Sequence, residues 1–453
     1  MPEIVADNIA VINSDELEGT TRIDAEYYQP KYLRMVANIL NKTQMQIKDV
    51  ATLEKRKFNS NNEGEFDYIE ISEISLSDGS YKPVRMPNKN APSRAQRKLE
   101  PNDVIISTVR PIRNAVSLIN KVDNVPLVCS SGFAVLKSSK LLSEYLFVWL
   151  KSKYTCALLD RLTTATMYPA VSDKDILTFP IPILSTEMQL EIQNLILKSK
   201  QLQKQSLSFY SQAKSLLLDE LGIKDIDLSH EPCYEVNSAD TITANRIDAE
   251  YYQPKYEKVI EAIKRYPCTP IGNMFRLVKG VEPGSSVYYD KGKPFIRVSN
   301  LNKFEINNDN QQYLPEKNYS ELKANYQPLK SEILLSKDAT PGIAYHLKDQ
   351  IDGIISSGIL RLQALSNIKR EYICLVINSI VGQSQIERDS GGSVINHWKP
   401  SQVQETLIPV LPDKIQEKIE LLCLESQSAR RTAKGLLEEA KRKVEEMIEK
   451  GSE

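Results

Sequence analysis

Histidine is scarce in this 453-residue chain: His230, His346 and His397 lie in separate segments. None stands at ligand spacing from a cysteine or a carboxylate, so no zinc site is expected. Ser107 and Ser336 have no nearby histidine to act as base, which argues against a serine nucleophile. The six cysteines (Cys129, Cys156, Cys233, Cys268, Cys374, Cys423) include no CxxC pair, a distribution suited to a reducing cytoplasm. Gly292-Lys293 lacks a glycine five residues upstream, so no Walker A loop is present to cradle phosphates. An Asn-Pro-Pro-aromatic motif and a Gly-rich cofactor loop, which a DNA methyltransferase would need, are missing too. No run approaches twenty apolar residues, which excludes a helical membrane span. The start, Met1-Pro2-Glu3-Ile4-Val5-Ala6-Asp7, has neither the basic end nor the apolar core of a signal peptide. A cytoplasmic protein without catalytic residues or a bound metal is the expectation.

The chain does contain a repeat. Arg22-Ile23-Asp24-Ala25-Glu26-Tyr27-Tyr28-Gln29-Pro30-Lys31-Tyr32 recurs letter for letter as Arg246 through Tyr256, an offset of 224. Tyr68-Ile69-Glu70-Ile71-Ser72-Glu73-Ile74 matches Phe295-Ile296-Arg297-Val298-Ser299-Asn300-Leu301 in its apolar pattern, and Ser130-Ser131-Gly132 returns as Ser356-Ser357-Gly358. A period this long is a duplicated domain rather than a solenoid repeat. The tyrosine box is identical in the two halves, while residues 44–180 and 268–407 keep little beyond their apolar skeleton. Two diverged inserts in one frame suit the reading of two different things; ordinary drift after duplication is the alternative.

Short runs rich in β-branched and aromatic residues, Phe66–Ile71 and Asp103–Ser107, read as strands, and Leu141–Leu150 and Tyr154–Leu162 as helices. The second insert repeats the order with Pro294–Val298, Glu332–Leu335 and Glu371–Ile380. Each insert ends in a helix with a heptad seam. Met188, Ile192, Leu195, Ser199, Leu202, Ser206, Phe209, Ala213 and Leu216 form the first. Ile415, Ile419, Leu422, Ser426, Ala429, Ala433, Leu436 and Ala440, followed by Met447, form the second. Ser185 and Asp413 suit their N-caps, and Gly222 lies just past the first helix. The seams can pair with each other, antiparallel by preference, or each can pack on its own domain. The expected fold is α/β: two similar mixed α/β domains separated by two long helices in an antiparallel coiled coil, with an internal pseudo-two-fold duplication. Its segments are 1–43 with the first tyrosine box, 44–185 as the first domain and 186–222 as the first helix. A linker at 223–267 carries the second box, followed by the second domain at 268–411 and the second helix with its tail at 412–453.

These features together resemble the DNA specificity subunits of type I restriction-modification systems. The residues that carry the likeness are the duplicated frame, the Ser107-Thr108-Val109-Arg110-Pro111 turn, and Ile181-Pro182-Ile183-Leu184 leading into the helix with Gln189 five residues on. Ile408-Pro409-Val410-Leu411-Pro412 with Gln416 matches that lead-in again. The resemblance implies two target recognition domains that read a bipartite asymmetric site in double-stranded DNA. It implies two modification subunits that hold S-adenosylmethionine and methylate adenine, and restriction subunits that translocate and cleave DNA with ATP. The second half departs from the pattern with Ser336-Lys337-Asp338-Ala339-Thr340-Pro341, so an arginine role cannot be copied across. A coiled-coil scaffold joining two ligand-binding α/β domains without DNA is the alternative reading, and a methyltransferase fragment a third.

The net charge of −1 requires DNA contacts to be local. Residues 44–180 hold nineteen Lys/Arg against fifteen Asp/Glu and residues 268–407 sixteen against fourteen, so both inserts are mildly basic. Lys82, Arg85, Lys89, Arg94, Arg97 and Lys98 form an acid-free, proline-containing stretch, expected to be an exposed loop suited to phosphates. Lys55, Arg56 and Lys57 are further candidates, and Arg110 and Arg113 sit where a guanidinium could reach guanine. In the second insert the candidates are Lys279, Lys291, Lys293, Arg297 and Lys337. The Gly391–Trp398 loop adds polar base-edge donors in Ser393, Asn396 and His397, with Tyr168 in the corresponding loop of the first half. Tyr27, Tyr28, Tyr251 and Tyr252 belong to the repeated box, which either docks one partner per half or packs against the helices.

Overall fold

The computed structural model describes residues 3–6, 9–13, 17, 23–120, 124–163, 168–308, 310–390 and 397–450. The chain divides into two compact units, one of Met1–Leu202 with Arg431–Glu453 and the other of Gln203–Arg430.

In the first unit, an antiparallel sheet takes its strands in the order Ala51–Leu53, Phe133–Ser138, Asp103–Ser107, Val116–Leu118. Asp103–Ser107 is buried along its whole length because both faces are covered. Val104 and Ile106 face one apolar cluster and Ile105 the other, the two-residue alternation of a strand between two layers. Beside it, Val84–Pro87, Glu65–Ile69, Leu127–Ser130 and Ala95–Lys98 form a mixed sheet in that order. Within it Glu65–Ile69 runs parallel to Leu127–Ser130.

The second unit repeats this plan. Phe275–Lys279, Ile359–Ala364, Ile333–Ser336 and Ala344–His346 make the antiparallel sheet. Gln312–Leu314, Lys293–Ile296 and Ile354–Ile355 make the mixed one, again with a parallel pairing. The departure lies where the first unit has the strand Ala95–Lys98: the second has the helix Glu316–Tyr326. The duplication is therefore one of topology as well as sequence, and the inserts differ where an outer element was exchanged.

Two corrections concern local structure. The basic stretch 82–98, expected as a loop, holds the strands Val84–Pro87 and Ala95–Lys98 around a short 3-10 turn, Asn88–Asn90. Its prolines stand at strand ends and in the connection, where a missing N–H costs no ladder bond. The second long helix begins at Asp413 itself, directly after Pro412, so Asp413 is its first residue rather than its cap. Ser185 does cap the first helix, its Oγ accepting from the Met188 N–H at 3.3 Å. Gly222, just past that helix, takes the left-handed conformation at φ +65.

The long helices, Thr186–Glu220 and Asp413–Lys450, each contribute to both units. In the first unit Ser199 Oγ donates to the Ala433 carbonyl at 2.7 Å, and Lys443 pairs with Glu191 at 2.8 Å. Rising numbers on one helix meet falling numbers on the other, so the packing is antiparallel. In the second unit Ser206 faces Ser426, and Tyr210 lines a small cavity with Cys423.

The buried stripe is shifted from the expected seam by one residue at four positions. Ile196 and Leu217 are buried rather than Leu195 and Leu216, and Cys423 and Leu437 rather than Leu422 and Leu436. The cause is that each helix serves two surfaces. Ile192 and Ile196 join the core under the first antiparallel sheet as well as meeting Leu437, Ala440 and Val444. Both readings of the seam therefore hold, because the helices pair and also pack on their domains.

Candidate nucleic-acid interface

The most distinctive geometry of the first domain lies at the end of the strand Asp103–Ser107. Ser107 Oγ donates to the Val109 carbonyl at 2.7 Å, and the Arg110 N–H donates to the Pro169 carbonyl at 2.8 Å. These bonds hold Arg110 at φ 47, the left-handed region that an L side chain adopts only at a cost. Pro111 is buried beneath it, while Val109, Arg110, Ile112 and Arg113 point outward and Tyr168 is 83% exposed. Strain of this kind persists where the surroundings over-determine it, and such places cluster at functional sites.

The second domain builds the same tip from different chemistry. Lys337 N–H donates to the Gly358 carbonyl as Thr108 N–H does to Gly132, and Ala339 takes φ 61 where Arg110 takes 47. The bridge between Val109 and Ala170 corresponds to the one between Asp338 and His397. Arginine and apolar side chains in one half are thus replaced by a Lys337–Asp338–His397 cluster in the other. Burial pushes the Asp338 carboxyl up, but its bonds to Lys337 and His397 outweigh this and hold it below its ordinary value. Ser393 and Asn396 lie outside the described residues.

Charges elsewhere divide into outward-facing and internally committed groups. Lys55, Lys57, Lys82, Lys89, Arg94 and Lys98 are exposed on the first domain, as are Lys279 and Lys291 on the second. Arg85 is exposed but forks onto Asp67, Nε to Oδ1 at 2.5 Å and Nη2 to Oδ2 at 2.9 Å. Arg97 pairs with Asp173 at 2.8 Å. Arg56 reads as a structural residue, contrary to its expected phosphate role: its Nη2 lies 2.7 Å from Asp103, whose side chain is wholly buried. A buried carboxylate needs that partner to offset its desolvation. Lys293 sits over the Tyr319 ring at 5.0 Å, and Arg297 Nη2 donates to the Asn310 carbonyl at 2.5 Å.

The tyrosine boxes keep one internal geometry. Tyr27 and Tyr28 meet edge to face at 4.9 Å and 77°, and Tyr251 and Tyr252 at 4.8 Å and 78°. Arg161 stacks over Tyr27 at 3.9 Å and donates to its carbonyl, while Arg246 and Arg388 lie over Tyr251. The covering differs. The hairpin of Glu3–Ala6 and Ile9–Val11 supplies Ile4 and Ala10 to the cluster that buries Tyr27 and Tyr28, whereas Tyr251 and Tyr252 are half-exposed. The first pair of rings is therefore packed inside its domain and not presented as a docking surface. Sequence identity could not reveal this, since the hairpin lies outside the repeated eleven residues.

Among the described residues no group of three or more His, Cys, Asp or Glu side chains could hold a metal. No helix there is long and apolar enough to cross a membrane.

Residues 40–201 match the family model for the type I restriction modification DNA specificity domain. No curated protein sequence matches the chain. Among solved structures, it is similar to a chain from work on complex assembly and conformational transition of the type I R-M system, at 18% identity and TM-score 0.33. That similarity covers 90% of this chain and 96% of that one. It is similar to the HsdS subunit from Thermoanaerobacter tengcongensis at 17% identity and TM-score 0.32, over 90% and 96% of the two chains. The S subunit of a type I restriction-modification system from M. genitalium shows 14% identity and TM-score 0.40, over 90% and 94%. Residues 40–201 thus match a type I restriction modification DNA specificity domain, and the second unit repeats the topology of the first.

Proposed function

We propose that each unit reads one half of a bipartite, asymmetric site in double-stranded DNA, and that the chain directs chemistry carried out by partner subunits. The observation that carries this reading is the pair of tips: one backbone plan, with bonds from Thr108 and Lys337 to matching glycine carbonyls, presents different side chains in the two domains. A shared frame with exchanged tips reads two sequences, where a shared ligand would keep one set of side chains. Exposed lysines and arginines on the first domain supply phosphate contacts that position the protein without reading sequence.

In this reading two modification subunits hold S-adenosylmethionine and methylate adenine, restriction subunits cleave, and this chain catalyses neither step in the cytoplasm where the complex works. The half-exposed Tyr251–Tyr252 box is the better placed of the two boxes to meet a modification subunit. Purification of the tagged chain from its native lysate tests the assignment. Methyltransferase chains that co-purify, together with site-specific adenine methylation lost on deletion of this gene, are the expected result. A chain that binds no duplex DNA, alone or with its co-purifying subunits, contradicts it.

A further inference from the structure

We infer that His397 is a base-reading residue of the second domain, set by Asp338 to present a bare acceptor nitrogen and so to select a base with an exocyclic amine. The inference rests on the DNA-reading function proposed above and names the chemistry of one contact within it.

Asp338 Oδ1 lies 2.9 Å from His397 Nδ1, and Lys337 Nζ sits on the other carboxylate oxygen. A carboxylate held ionised by a lysine can only accept a hydrogen bond, so the proton between it and the imidazole belongs to Nδ1. In the neutral form of the ring Nε2, the nitrogen away from Asp338, then carries no proton, and the side chain is 61% exposed. The backbone fixes the presentation. Asp338 and His397 form a β-bridge, and Trp398 is buried directly after His397, its N–H donating to the Lys337 carbonyl at 2.9 Å. A ring held at Nδ1 by Asp338, on a backbone tied down at Trp398, has the pre-organisation that recognition requires.

An acceptor entering the major groove finds donors only at adenine N6 and cytosine N4. Guanine offers acceptors at N7 and O6, and thymine an acceptor and a methyl group. The second half-site should therefore contain one position that takes A or C on the strand facing His397. Asp338 is a positioning residue here: it touches no base and acts through the tautomer it imposes. The corresponding tip of the first domain carries Arg110, a donor, so the two halves should differ in kind at this contact.

The test uses the full chain with its co-purifying subunits and a duplex library randomised in both half-sites. Wild type should enrich one bipartite sequence. His397→Ala should reduce discrimination by about tenfold at one position of one half-site and leave the other half unchanged. Asp338→Ala should broaden that same position to admit guanine, because the imidazole is then free to carry its proton on Nε2. Asp338→Asn serves if the alanine variant does not fold; its amide can face Nδ1 with oxygen or nitrogen and no longer dictates the proton. Asp338→Glu should restore the original preference. A tip that matters only for stability would instead weaken binding to all sequences alike, and that result overturns the inference. So does a His397→Ala variant that keeps every base preference while wild type remains selective. If wild type enriches no sequence, the DNA-reading function itself fails, and the inference with it.

Discussion

Ser426 Oγ lies 3.1 Å from Ser206 Oγ and donates to the Ser206 carbonyl at 2.8 Å, both side chains being buried between two long helices. Small residues here let the helices approach closely, and the hydroxyls satisfy each other where water is excluded. Ser426→Ala should cost about 0.5–1.5 kcal/mol. Ser426→Leu should cost about 1–3 kcal/mol by overpacking. Urea unfolding measures both, and a leucine variant more stable than wild type would contradict close packing at this level.

Lys151 supplies a pH signature. Its side chain is buried, its Nζ donates to the carbonyls of Leu76 at 2.9 Å and Asn114 at 3.2 Å, and burial pushes it down to about 8. The folded form thus releases this proton at lower pH than the unfolded chain, whose lysine holds it to about 10.5. Between these values the unfolded state binds more protons, so this group's contribution to stability rises as pH increases. Denaturation at pH 7 and pH 9.5 should show wild type gaining stability relative to Lys151→Met. An unchanged difference between the two proteins would refute the shift.

Basic residues of the first domain should fall into two groups. Replacing Arg94 and Lys98 by alanine should weaken binding to all sequences and lower the slope of log affinity against log salt by about 0.9 for each phosphate no longer neutralised. Replacing Arg56 should instead destabilise the fold by about 1–3 kcal/mol, since buried Asp103 loses its guanidinium partner and keeps only the bond from the Glu100 N–H. Salt titrations of binding, paired with thermal melts, separate the groups. Arg56→Ala with wild-type stability and a reduced salt slope would return that residue to the interface.

Arg110 should show stability and reading in opposition. Arg110→Gly relieves a left-handed backbone at φ 47 and should gain about 1 kcal/mol of stability. It should also relax one base position, at a loss of about 1–3 kcal/mol in discrimination. Melting temperature and library selection on the same variant decide this. A variant that melts lower, or that keeps its base preference, contradicts the role given to the turn.

Much of this architecture is legible in the sequence because it follows from short-range patterns. Val104, Ile105 and Ile106 are three β-branched residues in a row, and the observed strand runs Asp103–Ser107 around them. The repeat of Ser130-Ser131-Gly132 as Ser356-Ser357-Gly358 marks matching turns that accept the bonds from Thr108 and Lys337. What the sequence conceals depends on distant neighbours. Ile196 outranks Leu195 in burial only because a sheet-backed core lies on that side of the helix. Arg56 and Arg94 look alike until the fold brings Asp103, 47 residues away, to Arg56. The pairing of Asp338 with His397 spans 59 residues, and the burial of Tyr27 depends on a hairpin outside the repeat.

Two domains of one plan should read their two sequences independently of each other. Replacing residues 44–180 by the matching insert of a relative, followed by single-molecule sequencing of methylated genomic DNA, is the decisive measurement. One half of the methylated site should change while the other stays as it was. Change in both halves, or in neither, would contradict independent reading.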